Sequence, residues 1–358
     1  MSPLILVLAT LLATQDRDDP ETERRAFTVA EGFEVNLFAS EKEGVVKPLQ
    51  IRWDPQGRLW VSCGPSYPQL RPGEEADDSI LVLEDKDGDG RADASRVFAK
   101  GLSTPMGLEV GRGGVFVGSG GELLHLKDTG SDRPPERTVV LRGFFSGDSH
   151  QYINSFVWGP GGDLFFCQGL HAVARVETPW GVEKLEKAGF WRLRDRSLKL
   201  DPFLGYDMGP QNPYGIVFDD WGQPIMVSGN GQGVYYPVPT MIRTTHFLQI
   251  AQIWDKTNKL AGADYLGGAH WPEELQGVLV SGAYLNNSFY AFRITEDGAG
   301  FRAKNLPPII VSSHSSFRPV DVRVGPDGAI YVADWYNPII GHYQASFRHP
   351  DRDKTHGR

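Results

Sequence analysis

The chain has 358 residues, 40% of them hydrophobic and 23% charged, which is enough for one large domain or two ordinary ones. Its net charge of −9, with no Lys/Arg block interleaved with aromatics, argues against a nucleic-acid partner. The 42 glycines and 25 prolines, with no helix-period apolar pattern sustained over several turns, argue against a helical fold and for many short strands joined by turns.

The first feature along the chain is the apolar run Pro3 to Ala13 (PLILVLATLLA). It is too short to span a bilayer, has the length of a signal-peptide apolar region and ends on a small residue suited to cleavage, although no basic residue precedes it. A buried N-terminal strand is the alternative. Residues 1–13 therefore read as a signal peptide, 14–26 as a polar linker and 27–358 as the folded part of an exported protein, periplasmic or extracellular. No integral span is expected after cleavage. Gly32 to Ser40 (GFEVNLFAS) reads as a strand that could close a ring by joining the last repeat.

From there one pattern recurs: an apolar strand, a turn containing glycine, and a second apolar strand ending in small residues. The copies are Ile51 to Gly64, Leu108 to Gly120, Phe156 to Gly169, Ile216 to Gly231, a weaker one from Glu274 to Phe292, and Val322 to Trp335. They recur every roughly 45 to 60 residues, the period of propeller blades with loop insertions. One blade cannot bury both faces alone, so blades stack in a ring. The expected fold is all-β, a six-bladed β-propeller, with a β-sandwich or two β domains as the alternative. The last blade reads as incomplete at the C-terminus, which would make the chain a piece of a longer protein. Cys63 and Cys167 end equivalent strands (WVSCG and FFCQG), so they are expected to lie apart as small buried hydrophobes rather than to form a disulfide.

Four motifs carry candidate chemistry. In DKDGDGRAD, Asp85, Asp87, Asp89 and Asp93 have a spacing that lets alternate oxygens converge on one hard cation, while Gly90 allows the sharp turn; a solvated acidic turn is the alternative. In GDSHQYINSF, His150 sits just before an inner strand, where a neutral imidazole can act as a general base, with Asp148 or Asn154 orienting it; a structural histidine is the alternative. GPQNPYG places Gln211 and Asn212 before another inner strand. FRPVDVRVGPDGAIYVADWYNPIIGHY does the same with Arg318 and Asp321, followed by Asp334, Asn337 and His342; loop–loop hydrogen bonding is the alternative role for these groups. A guanidinium at a channel mouth suits carboxylate recognition. His270, before the fifth repeat, occupies a comparable position.

These segments together resemble the N-terminal propeller domain of the planctomycete-type membrane-bound dehydrogenases, the PVC-type haem-binding proteins. The resemblance runs from about Phe27 to Arg358, and its most specific pieces are LEDKDGDGRAD, HQYINSFVWGPGGDLFF, NPYGIVFDDWGQP and RPVDVRVGPDGAIYVADWYNPIIGH. More distantly the chain is similar to glucose/sorbosone dehydrogenases that use pyrroloquinoline quinone (PQQ) and calcium. That resemblance implies His150 as catalytic base, and Asn154, Gln211, Asn212, His270, Arg318, Asp321 and Asp334 as cofactor-binding candidates. Where those enzymes carry an Arg-Asn-Pro segment, this chain has Gln211-Asn212-Pro213, and Arg318 is the candidate to compensate. The first expected function is an exported quinoprotein-like dehydrogenase oxidising a sugar or other alcohol and passing electrons to a cytochrome c. The second is a non-catalytic, calcium-stabilised propeller that binds polysaccharide or protein. The third is a propeller lyase or lactonase using channel-bound calcium, for which Asn154, Asn212 and Asp334 are the suggestive ligands.

Overall fold

A computed structural model describes residues 18–70, 72–130, 133–203, 211–230, 233–237, 250, 252–256, 258–340, 349 and 355–358. The apolar run assigned to a signal peptide, and His342, lie outside these residues. Among the described residues six sheets follow one another around the ring, with a seventh, smaller one beside the third. The first comprises Pro48–Trp53, Leu59–Cys63, Asp78–Glu84 and Ala94–Leu102, and the second Gly107–Gly111, Gly114–Ser119, Glu122–Lys127 and Glu136–Arg142. The third comprises Asn154–Trp158, Leu164–Gln168, Gly189–Arg194 and Lys199–Phe203, with a three-stranded side sheet (Phe144–Ser146, Ala172–Thr178, Gly181–Glu186) packed beside it. The fourth opens with Pro213–Phe218 and Pro224–Ser228, the fifth with Ala261–Leu266 and Val278–Ala283, and the sixth holds Pro319–Val324 and Ile330–Asp334. The first strands touch in order around a closed ring, the sixth returning to the first, which is the arrangement of a β-propeller.

The hairpins of the first and fourth sheets close through local contacts. In the first, the Asp54 carboxylate accepts hydrogen bonds from the backbone N–H of Gln56 and Arg58, both at 2.9 Å, and Gly57 takes the left-handed conformation (φ 77°) that closes the turn. The fourth repeats the device: Asp219 accepts from Trp221 and Gln223, and Gly222 has φ 77°. Register shifts mark the start of five of the six first strands, so the backbone bends as it enters the ring.

The core is divided by the blades. One buried cluster lies between each pair of neighbouring sheets: Trp60 and Val82 meet Leu108 and Val117, Phe116 meets Phe156 and Trp191, and Phe190 meets Met226. Val227 meets Leu279 and Phe292, Phe289 meets Val322, and Ala333 meets Ile51 and Val61. Strands buried on both faces explain the near-continuous apolar runs in the repeats. Cys63 and Cys167 are free, buried and pushed up to about 12 by desolvation, in equivalent places opposite Pro48 and Asn154.

Polar groups at the ring's centre join the wedges. Arg52 of the first sheet donates to Asp321 of the sixth at 2.7 Å, to Glu109 of the second at 3.1 Å and to the Phe156 carbonyl of the third at 2.7 Å. The Ile51 amide also donates to Asp321, and Arg323 donates to the Ala263 carbonyl of the fifth sheet. Burial pulls the Arg52 guanidinium down, but Asp321 and Glu109 outweigh it and hold it above its ordinary value. Burial also raises Glu109, against the pull of Arg52 and Arg323.

Three expectations need correction. The fifth hairpin begins at Ala261, not within Glu274 to Phe292, because the long connection 267–277 separates its strands. Gly32 to Ser40 forms no ladder; Phe27–Val29 is the N-terminal strand, and it pairs with Ile310–Ser312 on the fifth sheet rather than on the last. The alternation that suggested a strand is still present, with Phe33, Val35 and Leu37 half-buried and Glu34 and Asn36 exposed, but no strand lies against that backbone among the described residues. The segment read as a linker contains an α-helix, Pro20–Arg25, capped by Asp19 accepting from the Thr22 amide at 3.1 Å. Buried Glu23 fixes that helix by accepting from Arg358 at 2.5 Å.

Removing Arg52 would leave Asp321 and Glu109 buried without the cation that hydrogen-bonds both, with Arg323 at 3.7 Å from Asp321. Arg52→Ala is expected to lose about 3–5 kcal/mol of stability in a denaturant titration, whereas an exposed Lys127→Ala should change the midpoint little.

Glu23 supplies a pH test. Burial first, and the neighbouring Asp334 carboxylate second, push its carboxyl up to about 10, while Arg358 pulls the other way. Its Oε1 has no hydrogen-bond partner as a carboxylate, consistent with a proton held there. A raised folded-state pKa contributes stability that is complete below the ordinary value near ~4.3 and is lost as pH rises through the folded value. Stability should therefore fall between about pH 5 and pH 9 through this group. Glu23→Gln is expected to flatten that slope, gaining on the wild type at pH 9 in thermal unfolding.

Candidate functional site at the channel mouth

The first strands all begin on one face, so Lys47, Met106, Asn212 and Arg318, each just before one of them, lie on the mouth side of the ring, whereas Ile153 and Leu260 in the same position pack between sheets. Behind them an apolar cluster joins Leu49, Met106, Tyr214 and Trp335, with Tyr67 and Tyr284 packed against it. The Tyr67 and Trp335 rings meet edge to face, with centroids 5.3 Å apart. Burial, then Asp148 and Tyr284, raises the Tyr67 phenol, and burial also raises Tyr214 and Tyr284, so all three are neutral hydroxyls. No spacing rule marks these aromatics in the sequence, because each comes from a different sheet.

His150 borders this cluster. It lies in a single 3-10 turn, Ser149–Gln151, directly before the third sheet's first strand. Ser149 Oγ ties the turn to the Pro68 carbonyl, next to Tyr67, at 2.5 Å. His150 is 8% exposed, and its Nδ1 lies 2.6 Å from Asp148 Oδ1. The ring's Nε2 faces the Gln151 amide nitrogen at 3.1 Å. Gln151 is itself fixed, its Oε1 accepting from the His171 amide at 2.5 Å. Asp148 Oδ1 thus lies against Nδ1 at ion-pair distance, while Nε2 faces the Gln151 side chain.

The other sequence-derived candidates are placed less uniformly. Asn154 is buried, with its amide donating to the Tyr152 carbonyl and its oxygen accepting from Ser155 Oγ. Gln211 is exposed and accepts from Asn230. Asn212 is buried at the mouth with an Oδ1 that has no hydrogen-bond partner, and buried Trp335 has an indole N–H in the same state. Arg318 is buried, and its guanidinium donates to the carbonyls of Asn337, Tyr284 and Pro338 at 3.0–3.3 Å. Desolvation lowers its pKa, with Asp334 opposing. Asp321 lies deeper in the ring, on Arg52. Asp334 accepts from the Arg318 and Tyr336 amides and faces Glu23.

His270 stands apart and corrects the sequence reading. It belongs to the 267–277 connection, where its Nε2 meets the Gly328 carbonyl at the hairpin turn of the sixth sheet, at 3.2 Å. That turn is at the opposite end of the strands from the mouth. Starting the fifth repeat at Glu274 rather than Ala261 is what gave His270 a position comparable to that of His150.

The acidic loop is also away from the mouth, between Asp78–Glu84 and Ala94–Leu102. Asp85, Asp87 and Asp89 offer carboxylate oxygens that all lie within 4.8 Å of one another. Asp93 is turned to the Lys86 amide at 2.7 Å.

A family profile described as a domain of unknown function, DUF7133, matches residues 19–259 and 230–358, and the chain belongs to that family. No curated protein matches it. Among solved structures, it is similar to an oxidoreductase described as a glucose dehydrogenase from Thermus thermophilus (16% identity, TM-score 0.58, covering 86% of this chain and 95% of that one). It is also similar to a protein described as a gluconolactonase (14% identity, TM-score 0.52, 86% and 91% covered). A third is the PQQ-bound form of an aldose sugar dehydrogenase from Streptomyces coelicolor (13% identity, TM-score 0.51, 87% and 92% covered). At these identities the likeness shows the fold alone, and the chemistries named differ among the three.

Proposed function

We propose that this DUF7133 protein is a dehydrogenase-like propeller that takes a sugar or another alcohol at the channel mouth, with His150 as the base that removes the hydroxyl proton. The observation that carries this reading is the 2.6 Å contact between Asp148 and His150. An Nδ1–H directed at this carboxylate would leave Nε2 as the proton acceptor. The substrate hydroxyl would replace the Gln151 amide as the donor to Nε2. Export belongs to the same reading, on the strength of Pro3 to Ala13; the hydride from the oxidised carbon would pass to a diffusible two-electron acceptor, from which a cytochrome c would take the electrons one at a time.

PQQ, when bound, supplies a hydride acceptor. The described residues do not fit it. A tricarboxylate wants cationic partners, yet the two buried cations at the mouth are committed to backbone: Arg318 to three carbonyls, and Lys47 to the Tyr336 carbonyl at 2.6 Å. Gln211 stands where an arginine would help and is neutral. No step is therefore assigned to this cofactor. The same commitment of Arg318 favours a second reading, a non-catalytic platform for polysaccharide or protein.

Turnover separates the two. Folded protein supplied with calcium, with or without PQQ, is expected to reduce an artificial electron dye with at least one member of a sugar and alcohol panel. His150→Ala is expected to cut that rate by about 10²–10⁴. A folded sample that turns over nothing, while glycan binding survives in His150→Ala, would replace this reading with the platform.

In the acidic loop, Asp85, Asp87 and Asp89 would hold a calcium ion, whose preference for several oxygen ligands suits three carboxylates this close. Its part is structural, pinning the hairpin of the first sheet. A chelator is expected to lower the wild-type Tm by several degrees, with calcium restoring it and Asp87→Ala removing the effect. An unchanged Tm together with silent calcium calorimetry would make the loop a solvated turn.

A further inference from the structure

His150 is held by more than its carboxylate. Gln151, next in the chain, is buried, and its side chain lies against Gly169, the residue that follows the strand Leu164–Gln168. A Cβ at Gly169 would stand 2.7 Å from both Cβ and Cγ of Gln151, so this close approach needs glycine there. The same turn presents the His171 amide, which donates to Gln151 Oε1 at 2.5 Å, and the Gly169 amide, which donates to the Gln151 carbonyl at 3.1 Å. Backbone and side chain of Gln151 are therefore both fixed by the turn after the third sheet's second strand.

A backbone N–H can only donate, so the atom that faces His171 is the amide oxygen of Gln151. The NH2 group of Gln151 then faces His150 Nε2, across 3.1 Å. That group can only donate as well, and Nε2 can meet it only with a lone pair. In a neutral imidazole the proton is then on Nδ1, the nitrogen 2.6 Å from Asp148 Oδ1. The opposite tautomer would set two donors face to face at Nε2 and two acceptors face to face at Nδ1. Asp148, His150 and Gln151 are all buried, so water cannot relieve either clash cheaply.

We infer that Gln151 is a positioning residue that sets the tautomer of His150, and that the His171 backbone amide, 20 residues from Gln151, decides which way the Gln151 amide points. This role rests on His150 as the base of the proposed reaction. The lone pair that a substrate hydroxyl must reach is thereby the populated state before any substrate arrives, with the Gln151 amide standing in for the hydroxyl. The arrangement also fixes the kind of ligand the ring takes. A bare Nε2 accepts a hydrogen-bond donor, such as an alcohol hydroxyl, and turns away a carboxylate, which can only accept.

The test is nitrogen NMR of histidine-labelled protein without substrate, above the pH at which the ring titrates. The His150 resonances are those that vanish in His150→Ala. Nε2, identified by its coupling to both ring protons, is expected to show the shift of a bare nitrogen, and Nδ1 that of a protonated one. Gln151→Met, similar in bulk but without a donor, should raise the share of the Nε2–H tautomer about tenfold. Gly169→Ala, which keeps Gln151 but displaces it, should do the same. Gln151→Glu turns an acceptor toward Nε2, so it should move the proton there and cut dye reduction about tenfold or more. A wild-type Nε2 that bears the proton overturns the inference. So does a Gln151→Met spectrum with the wild-type tautomer ratio, which would leave Asp148 alone in control of the ring. The spectra need no turnover, so a protein that oxidises nothing can still show the bare Nε2. Conversely, His150-dependent turnover with a protonated Nε2 would spare the proposed reaction and remove this role of Gln151.

Discussion

The structure depends on the charges gathered at the centre of the ring. Each sheet is a wedge whose two faces are apolar and whose narrow edge points inward, so side chains on the first strands converge where little water can reach. Arg52 answers that crowding by reaching three other sheets at once, and Asp321 receives it together with the Ile51 amide. A buried ion pair of this kind contributes little net stability compared with apolar packing, because both charges must be desolvated. Its consequence is geometric: the directional bonds of a guanidinium fix how the first, second, third and sixth wedges are rotated against one another, which apolar packing leaves looser.

Closure of the ring is handled by different chemistry. The fifth sheet takes its outermost strand from Phe27–Val29, and the helix Pro20–Arg25 before it reaches Arg358 beside the sixth sheet. Glu23 joins the N-terminal helix to Arg358, the Arg358 guanidinium lies 4.0 Å from the Tyr336 ring centre, and Tyr336 donates to Asp18 at 3.0 Å. Burial, with Asp334 beside it, holds the Glu23 carboxyl above its ordinary value. Arg358 serves this clasp twice: its side chain donates to Glu23, and its backbone exchanges two hydrogen bonds with Asp334.

At the mouth, most polar groups hold the scaffold. Arg318 joins the fifth sheet's Tyr284 to the segment after the sixth, and Lys47 does similar work at Tyr336. His150 differs in kind, since its partner is a carboxylate and its other nitrogen faces a side-chain amide that a ligand can displace. The unpaired Asn212 oxygen and Trp335 indole N–H are the other groups there with hydrogen-bonding capacity in reserve. A shared fold does not carry a shared cofactor: the wedges need only apolar faces and turns, while a quinone needs cations that this mouth uses for its own loops.

The repeat was legible because it is written locally. Asp54 and Gly57, or Asp219 and Gly222, close a turn through atoms within four residues, so composition and spacing reveal the hairpins and, by their number, a ring of sheets. His150 was legible for the same reason, as a histidine next to an inner strand with Asp148 two residues away. Where the sequence misled, the partner lay far along the chain. The alternation in Gly32 to Ser40 records a half-buried face, but whether a strand pairs there depends on what lies beside it. The long connection before Val278 displaced His270 to the opposite end of the strands. Arg318 looked like a ligand for carboxylates because its residue type suits that chemistry. Only the folded ring shows that three carbonyls, from positions 19 to 34 residues away, already occupy it. Residue type and local spacing determined which groups could act; the tertiary structure decided which of them remain available, because hydrogen-bond capacity is finite and burial makes every buried donor find an acceptor.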